Sequence, residues 1–395
     1  MKKSEPTHGL TPAPLPQAAL DDRQRLACLR LIRSDNIGPV SFRELINHCG
    51  GAEEALARLP ELAKRGGRSI RICTREAAEA ELARAAKAGA TPVFTIEPGY
   101  PALLAQVEQP PPMLYIKGRH DLLARPAIAI VGSRGASAAG QALTRQFAGK
   151  LGAAGLVVVS GLARGIDGVA HEAALASGTI AVVAGGVDVV YPPEHARLQQ
   201  RIGEEGCLVS EQPPGFKPRA QDFPRRNRII SGIALGVVVV EAAKRSGTLI
   251  TARMAGEQGR LVFAVPGHPL DPRAEGTNHL LKEGATLVTE PGDVIEALMP
   301  LLSPAMRFSE RAADSWTQSS EAVAPPLHPP AEPDDGDRAR ILEALGPAPV
   351  SLDDIARATG LPIRLVQTTI LELGLAGRIE RHGQQLVSRI DAPKA

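Results

Sequence analysis

Between residues 127 and 300, short apolar runs alternate with amphipathic segments. The runs AIAIV (127–131), LVVV (156–159), TIAVVAG (179–185), CLVS (207–210), GVVVVE (236–241), LVFAV (261–265) and ATLV (285–288) are rich in β-branched residues. They are too short for helices and read as buried strands. Segments of helical period begin near Ser137, Asp167, Glu194, Arg226, Thr248 and Thr277. Strict alternation of the two kinds predicts an α/β fold: a Rossmann-like, doubly wound and mostly parallel sheet. Upstream, residues 75–89 read as an Ala-rich helix, Val93–Ile96 as a short strand, and Met113–Ile116 as an edge strand, where the preceding prolines are tolerated.

Both flanks carry helical period instead. Residues 21–60 break at Asn36-Ile37-Gly38-Pro39. Two helices about an I-G-P turn fit a helix-hairpin-helix or sterile-alpha-type module, whose turn would offer N–H groups to a phosphate. A plain αα-hairpin is the reading this segment alone favours. Near the C-terminus, three helical segments and two short strands around His382-Gly383 predict a winged helix, with Ser351 as a helix cap. Its recognition helix would span Pro362 to Leu373. Arg364 and Gln367 are its outward readers and Glu372 opposes them, so DNA and protein both stay open as its partner. Residues 303–337 are dominated by Pro, Ser, Ala and acids without period, as in a flexible linker. The expected divisions are a disordered lead (1–20), a helical module (21–75), an extended Rossmann-like domain (76–302), the linker (303–337) and a winged-helix domain (338–390).

Composition narrows this modestly. A net charge of +2 leaves any nucleic-acid role to local clustering. No apolar run is long enough to span a membrane and no leader-like apolar segment follows Lys2-Lys3, so a cytoplasmic protein is the default expectation. Four scattered cysteines, without a C-x-x-C, predict neither a disulfide framework nor a metal site.

The chemistry concentrates in the loops after the strands, where open α/β sheets bind ligands. Gly132-Ser133-Arg134 offers close backbone approach, a hydroxyl and a guanidinium ahead of a helix N-terminus, a fitting seat for a phosphate. Ser160-Gly161 with Arg164 is similar. Asp167 is expected to cap the next helix, and His171 four residues on to make a structural hydrogen bond, although a catalytic dyad is conceivable there. The stretch from Lys217 to Arg228 holds Lys217, Arg219, Arg225, Arg226 and Arg228 against one acid, with Phe216 and Phe223 interleaved. Cations tracking phosphates and rings stacking on bases are how single strands are held without sequence reading. Arg225 and Arg226 are read as opening a helix, an unfavourable place for a cation unless an anion arrives. Lys244-Arg245-Ser246-Gly247-Thr248 forms another turn-and-helix phosphate site. Glu241 is open to two roles, a general base or a salt-bridge partner of Arg225 or Arg228. No G-x-x-x-x-G-K-[ST] occurs, and the first turn is not G-x-G-x-x-G. The second strand ends in Ser160-Gly161, where a dinucleotide site needs an acid. No nucleotide cofactor and no catalytic residue are expected.

In series, VGSRGAS, SGLARGIDGVAH, GGVDVVYPPEH, FPRRNRIISG, VVEAAKRSGTLITA, VFAVPG and GTNHLLKEGA resemble the DNA-processing protein A family, also called Smf, over about Pro98 to Pro300. The resemblance implies a single-stranded DNA-binding mediator that loads a RecA-type recombinase during natural transformation. It also implies a homodimer through the C-terminal part of the Rossmann-like domain. Carried over by motif, the DNA contacts are Gly132, Ser133, Arg134, Arg164, Lys217, Arg225, Asn227, Arg228 and Lys244, with Ser246-Gly247-Thr248 as a backbone subsite. A dimer or recombinase surface is placed near His279, Leu287 and Val288. Two alternatives stand beside it. One is a nucleotide phosphoribohydrolase-like enzyme, although such enzymes resemble P-G-G-x-G-T where this chain has A-K-R-S-G-T. The other is a regulator whose winged helix binds the DNA.

Overall fold

The computed structural model describes residues 20–302, 333–383 and 385–390. The expected lead before Leu20 and the linker up to residue 332 lie outside the described residues. The N-terminal module consists of α1 (Asp22–Ile32), α2 (Pro39–Cys49), α3 (Ala52–Arg65) and α4 (Arg75–Lys87). Asp21 starts α1 with a reciprocal cap: its carboxylate accepts from Gln24 N at 2.8 Å, and Gln24 returns an acceptor to Asp21 N at 3.0 Å. Pro39 occupies the first turn of α2 after Gly38, where its missing N–H costs nothing.

The central domain runs β1 (Thr91–Phe94), α5 (Ala102–Ala105), β2 (Met113–Gly118), β3 (Ala127–Val131), α6 (Ala138–Ala153), β4 (Val157–Ser160), α7 (Ile166–Ala174), β5 (Thr179–Val182), α8 (Ala196–Glu205), β6 (Cys207–Ser210), α9 (Asp222–Ile233), β7 (Gly236–Val239), α10 (Thr248–Glu257), β8 (Leu261–Ala264), α11 (Glu275–Lys282), β9 (Thr286–Leu287) and α12 (Pro291–Leu302). Its nine strands lie in the order β1-β2-β6-β5-β4-β3-β7-β8-β9. Strands β3 to β9 pair in parallel, while β1 and β2 are antiparallel additions beside β6. The Met113 strand is therefore interior, and the edge belongs to β1 with Pro92. The sheet buries both faces by alternation. Ile128, Ile130, Val158 and Val238 face α6, α7 and α12 through Phe147, Leu151, Ala170 and Leu298. Ala129, Val157, Val159 and Val237 face α9 and α10 through Ile229, Ile233 and Ala252.

The N-terminal module is tied to this sheet by buried charge. Arg33, just after α1, forks onto Glu81 of α4 at 2.8–3.1 Å, and the fully buried Tyr115 of β2 donates its hydroxyl to the same carboxylate. Burial lifts the Tyr115 phenol above its usual range, so it remains a donor. After the central domain come α13 (Asp335–Ala344), β10 (Val350–Ser351), α14 (Leu352–Thr359), α15 (Ile363–Leu375), β11 (Ile379–His382) and β12 (Leu386–Arg389). These are three helices and a three-stranded wing, with Ser351 capping α14 at 3.0 Å as read from the sequence. Among the described residues no helix is long and apolar enough to cross a membrane.

Candidate nucleic-acid interface

Strand order reverses at β3, whose neighbours are β4 on one side and β7 on the other. Chain connections leave the two sides of such a point in opposite directions and open a crevice beyond the strand ends. The loops after β3, β4 and β7 meet there. They line a cavity of about 730 Å³ that includes Gly132, Ser133, Arg134, Phe223, Arg245 and Ser246. A smaller recess of about 240 Å³ adjoins it and is lined by Gly161, Arg164 and Pro192, sharing Arg134, Tyr191 and Phe223 with the first.

Each loop is fixed by its own side chains. Ser133 Oγ accepts from Gly135 N at 3.2 Å, which turns the chain and leaves Arg134 pointing outward and exposed. A Cβ on Gly132 would come within 2.9 Å of Ile166 Cβ, so this loop can lie on α7 only as glycine. Ser137 caps α6, accepting from Gly140 N at 2.9 Å. Its own N–H and hydroxyl donate to Glu241 at the end of β7. Glu241 is thus neither a free base nor the partner of Arg225 or Arg228; it braces a helix N-terminus, where a carboxylate is favoured. Thr248 Oγ1 donates to Gly132 O at 3.0 Å and Thr248 N to Ser246 Oγ at 3.2 Å, stapling the third loop to the first.

The middle loop rests on a buried ionic floor. Asp167 sits inside the first turn of α7 and does not cap it; its carboxylate reaches back to accept from Gly161 N at 3.2 Å and Ala163 N at 3.3 Å. Burial raises its pKa, opposed by Arg226 and those two amides. Arg226 is only 7% exposed and donates to the Gly161 and Val182 carbonyls. Burial lowers its pKa to about 10, which leaves it charged at neutral pH. His171 is buried behind this loop. The hydroxyl proton of Thr179 goes to Val158 O at 2.9 Å, so the 2.7 Å contact with His171 Nδ1 has the ring nitrogen donating. A structural bond is what the sequence favoured there, not a dyad.

Above this floor stands an aromatic wall. Tyr191 lies 5.2 Å from Phe223, ring centre to ring centre, and the Arg134 guanidinium lies 5.8 Å from the centre of the Phe223 ring. Tyr191 is 48% exposed, so a large π-face is open to solvent.

Of the residues singled out in sequence, Gly132, Ser133, Arg134, Asp167, Phe223, Arg226, Asn227, Ser246, Gly247 and Thr248 line the main cavity, and Gly161 and Arg164 line the recess. Lys217 and Lys244 on the adjoining loops and Arg225 on α9 are exposed but outside both linings. Four placements differ from the sequence reading. Ser160 is fully buried and gives its hydroxyl to Ile130 O at 2.6 Å, so it braces strands and seats no ligand. Arg226 lines the floor of the cavity, but its guanidinium is turned to the Gly161 and Val182 carbonyls instead of outward. Arg228 forks onto Glu211 at 2.6 and 2.7 Å and onto Gln109 O at 2.8 Å, away from the cavity. Helix α9 begins at Asp222, so Arg225 and Arg226 fall one turn inside it and meet little of the dipole. Of the two cations in the turn from Lys244 to Thr248, Arg245 reaches the cavity and Lys244 does not; they carry the same charge, and only the turn decides which one faces in. At the far edge, His279 and Leu287 are exposed, whereas Val288 is fully buried among α12 side chains and forms no surface.

Comparison with known proteins covers all three parts. Residues 91–299 match the family DNA recombination-mediator protein A, residues 22–84 a DprA-like N-terminal HHH domain, and residues 325–385 a DprA winged helix domain. Protein Smf of Escherichia coli is 42% identical over 283 residues, which is 71% of this chain and 72% of that protein. DNA processing protein DprA of Streptococcus pneumoniae is 47% identical over 207 residues, 52% of this chain and 73% of that protein. The X-ray structure of DprA from Streptococcus pneumoniae superimposes with a TM-score of 0.59 at 35% identity, covering 70% of this chain and 98% of that one.

Proposed function

The chain belongs to the DNA recombination-mediator protein A family, and from that premise we propose that it holds single-stranded DNA across the switch-point loops and passes it to a RecA-type recombinase during natural transformation. The observation that carries this reading is the joining of phosphate-sized backbone turns to an open aromatic wall through Arg134. The Ser133–Arg134 turn and, at the N-terminus of α10, the Gly247 N–H offer seats to two phosphates. Arg134 adds a charge-assisted bond to the first. Tyr191 and Phe223 give bases a stacking surface that reads no sequence.

A duplex keeps its bases stacked inward, so the wall would be idle against it and single strands should bind more tightly. The nucleotide-hydrolase alternative would need Glu241 as acid or base, and that carboxylate is engaged by Ser137. Two copies of the chain would pair through the open edge of β9, with Leu287 and His279 at the contact. Fluorescence anisotropy with a labelled oligothymidylate and the matching duplex tests the binding. Recombinase assembly on strands coated with single-strand binding protein tests the hand-over. Equal affinity for the two DNA forms would remove the aromatic wall from the account.

A further inference from the structure

We infer that the winged helix does not read DNA with its recognition helix: that face is built to clasp the chain's own N-terminal helical module. On α15, Arg364, Gln367, Leu371 and Leu375 follow one another at helical spacing and share a face. The opposite face, with Val366, Ile370 and Leu373, fills the winged helix's own core. Leu371 and Leu375 are instead buried in the N-terminal module's cluster beside Leu45, Leu59 and Leu62. Half of the face that a winged helix lays in a groove is therefore apolar and covered by protein.

Polar contacts surround that strip. Glu372 is fully buried; Arg338 of α13 forks onto it at 2.8 and 3.1 Å, and Arg65 of α3 approaches to 3.9 Å. Arg381 on the wing forks onto Glu44 of α2 at 2.9 and 2.7 Å. Asn36, in the turn of the hairpin, has φ of 59° and donates its amide to Leu375 O at 2.9 Å. The hairpin turn is thus closed by the end of α15.

Gly66 is a separate sign that the sequence is shaped for this contact. Its φ of −70° suits any residue, so the end of α3 does not require glycine there. A Cβ at Gly66 would overlap the Glu372 carbonyl and come within 2.9 Å of Ala376 Cβ. The missing side chain serves the partner module alone.

The test uses the full chain. Gly66→Leu inserts a wedge that its own helix tolerates, and Glu44→Arg sets two guanidinium groups against each other. Either should speed amide exchange in peptides covering residues 36–46 and 371–378 by about tenfold. Glu44→Arg with Arg381→Glu should return it to the wild-type rate. Unchanged exchange in both single variants would overturn the clasp. Arg364→Ala with Gln367→Ala should leave the affinity for a short labelled duplex unchanged, since the face does not touch DNA. A loss of about fivefold or more would make it a base reader and overturn the inference. Single-strand binding is followed separately through Arg134→Ala, a residue outside the clasp, so failure of one idea is distinct from failure of the other.

Discussion

Three arginines within four residues have three different fates. Arg225 is exposed, Arg226 is buried beneath the loops, and Arg228 turns to Glu211. Successive helical residues diverge by about 100°, so a run of cations on a helix cannot all serve one ligand. The sequence displays the charges but not the phase of the helix, and the phase depends on α9 starting at Asp222. Arg134 is different: it sits in the short turn just after β3, and that turn leaves it one way to point. Arg134→Ala should weaken oligothymidylate binding by about 1.5–3 kcal/mol, the range for a charged hydrogen bond, in an anisotropy titration. Arg134→Lys should recover only part of this, because an ammonium lacks the flat face that lies on Phe223. His171 gives a second expectation at this scale. Burial pulls its pKa from 6.5 to about 3, with His195 and Arg226 adding to the shift. The unfolded chain takes up this proton as the pH falls through 6.5, while the folded chain resists until near 3. Stability therefore falls with pH across that window, by up to about 1.4 kcal/mol per pH unit. Urea unfolding of His171→Asn, which keeps a donor near Thr179, should show a shallower dependence than wild type over the same range.

At the scale of elements, strands were the legible part. β3, β4, β5, β7 and β8 are short apolar runs dominated by Val, Ile and Ala, with Leu261 and Phe263 in β8, and most of their residues are buried. The placement of β2 was less legible. Its prolines suggested an edge, but Pro110, Pro111 and Pro112 precede the strand, and the residues from Met113 on supply the ladder. The loops were found as loops, but not their mutual bracing. That Glu241 should reach Ser137 across 104 residues follows from β3 and β7 being neighbours, which no local pattern reveals. Ser137→Ala removes the cap of α6 and should cost about 1 kcal/mol in chemical unfolding. Because the same side chain holds the loop that carries Arg134, it should also weaken strand binding. Gln146→Ala, on the exposed face of the same helix, should do neither.

At the scale of the molecule, the positive charge that bears on the cavity is local, since the chain as a whole carries only +2. Six of the exposed cations around the cavity are Arg134, Arg164, Lys217, Lys244 and Arg245 on loops and Arg225 on α9. If each neutralises one phosphate, affinity should drop about 300-fold between about 50 and about 200 mM salt, from a slope of about −0.7 per contact. A flat response to salt in the same titration would mean that the rim does not follow the backbone. The three-part division of the chain could be seen in the change of hydrophobic period at its two ends. The docking of the two ends on each other could not, because Leu371, Leu375 and Gly66 look like ordinary helix residues until the modules meet.

The Arg33–Glu81–Tyr115 network bears on how the chain can be shortened. A cut between residues 75 and 76 respects the change of period and falls at the start of α4. It leaves Glu81 on the central fragment and takes Arg33 away with the other. The fragment would keep the Tyr115–Glu81 bond but lose the cation that neutralises that carboxylate, together with the helices that cover it. A shortened protein meant to carry the DNA-binding loops alone should therefore begin before α1, or replace Glu81 by glutamine, which can keep the tyrosine's bond without the charge.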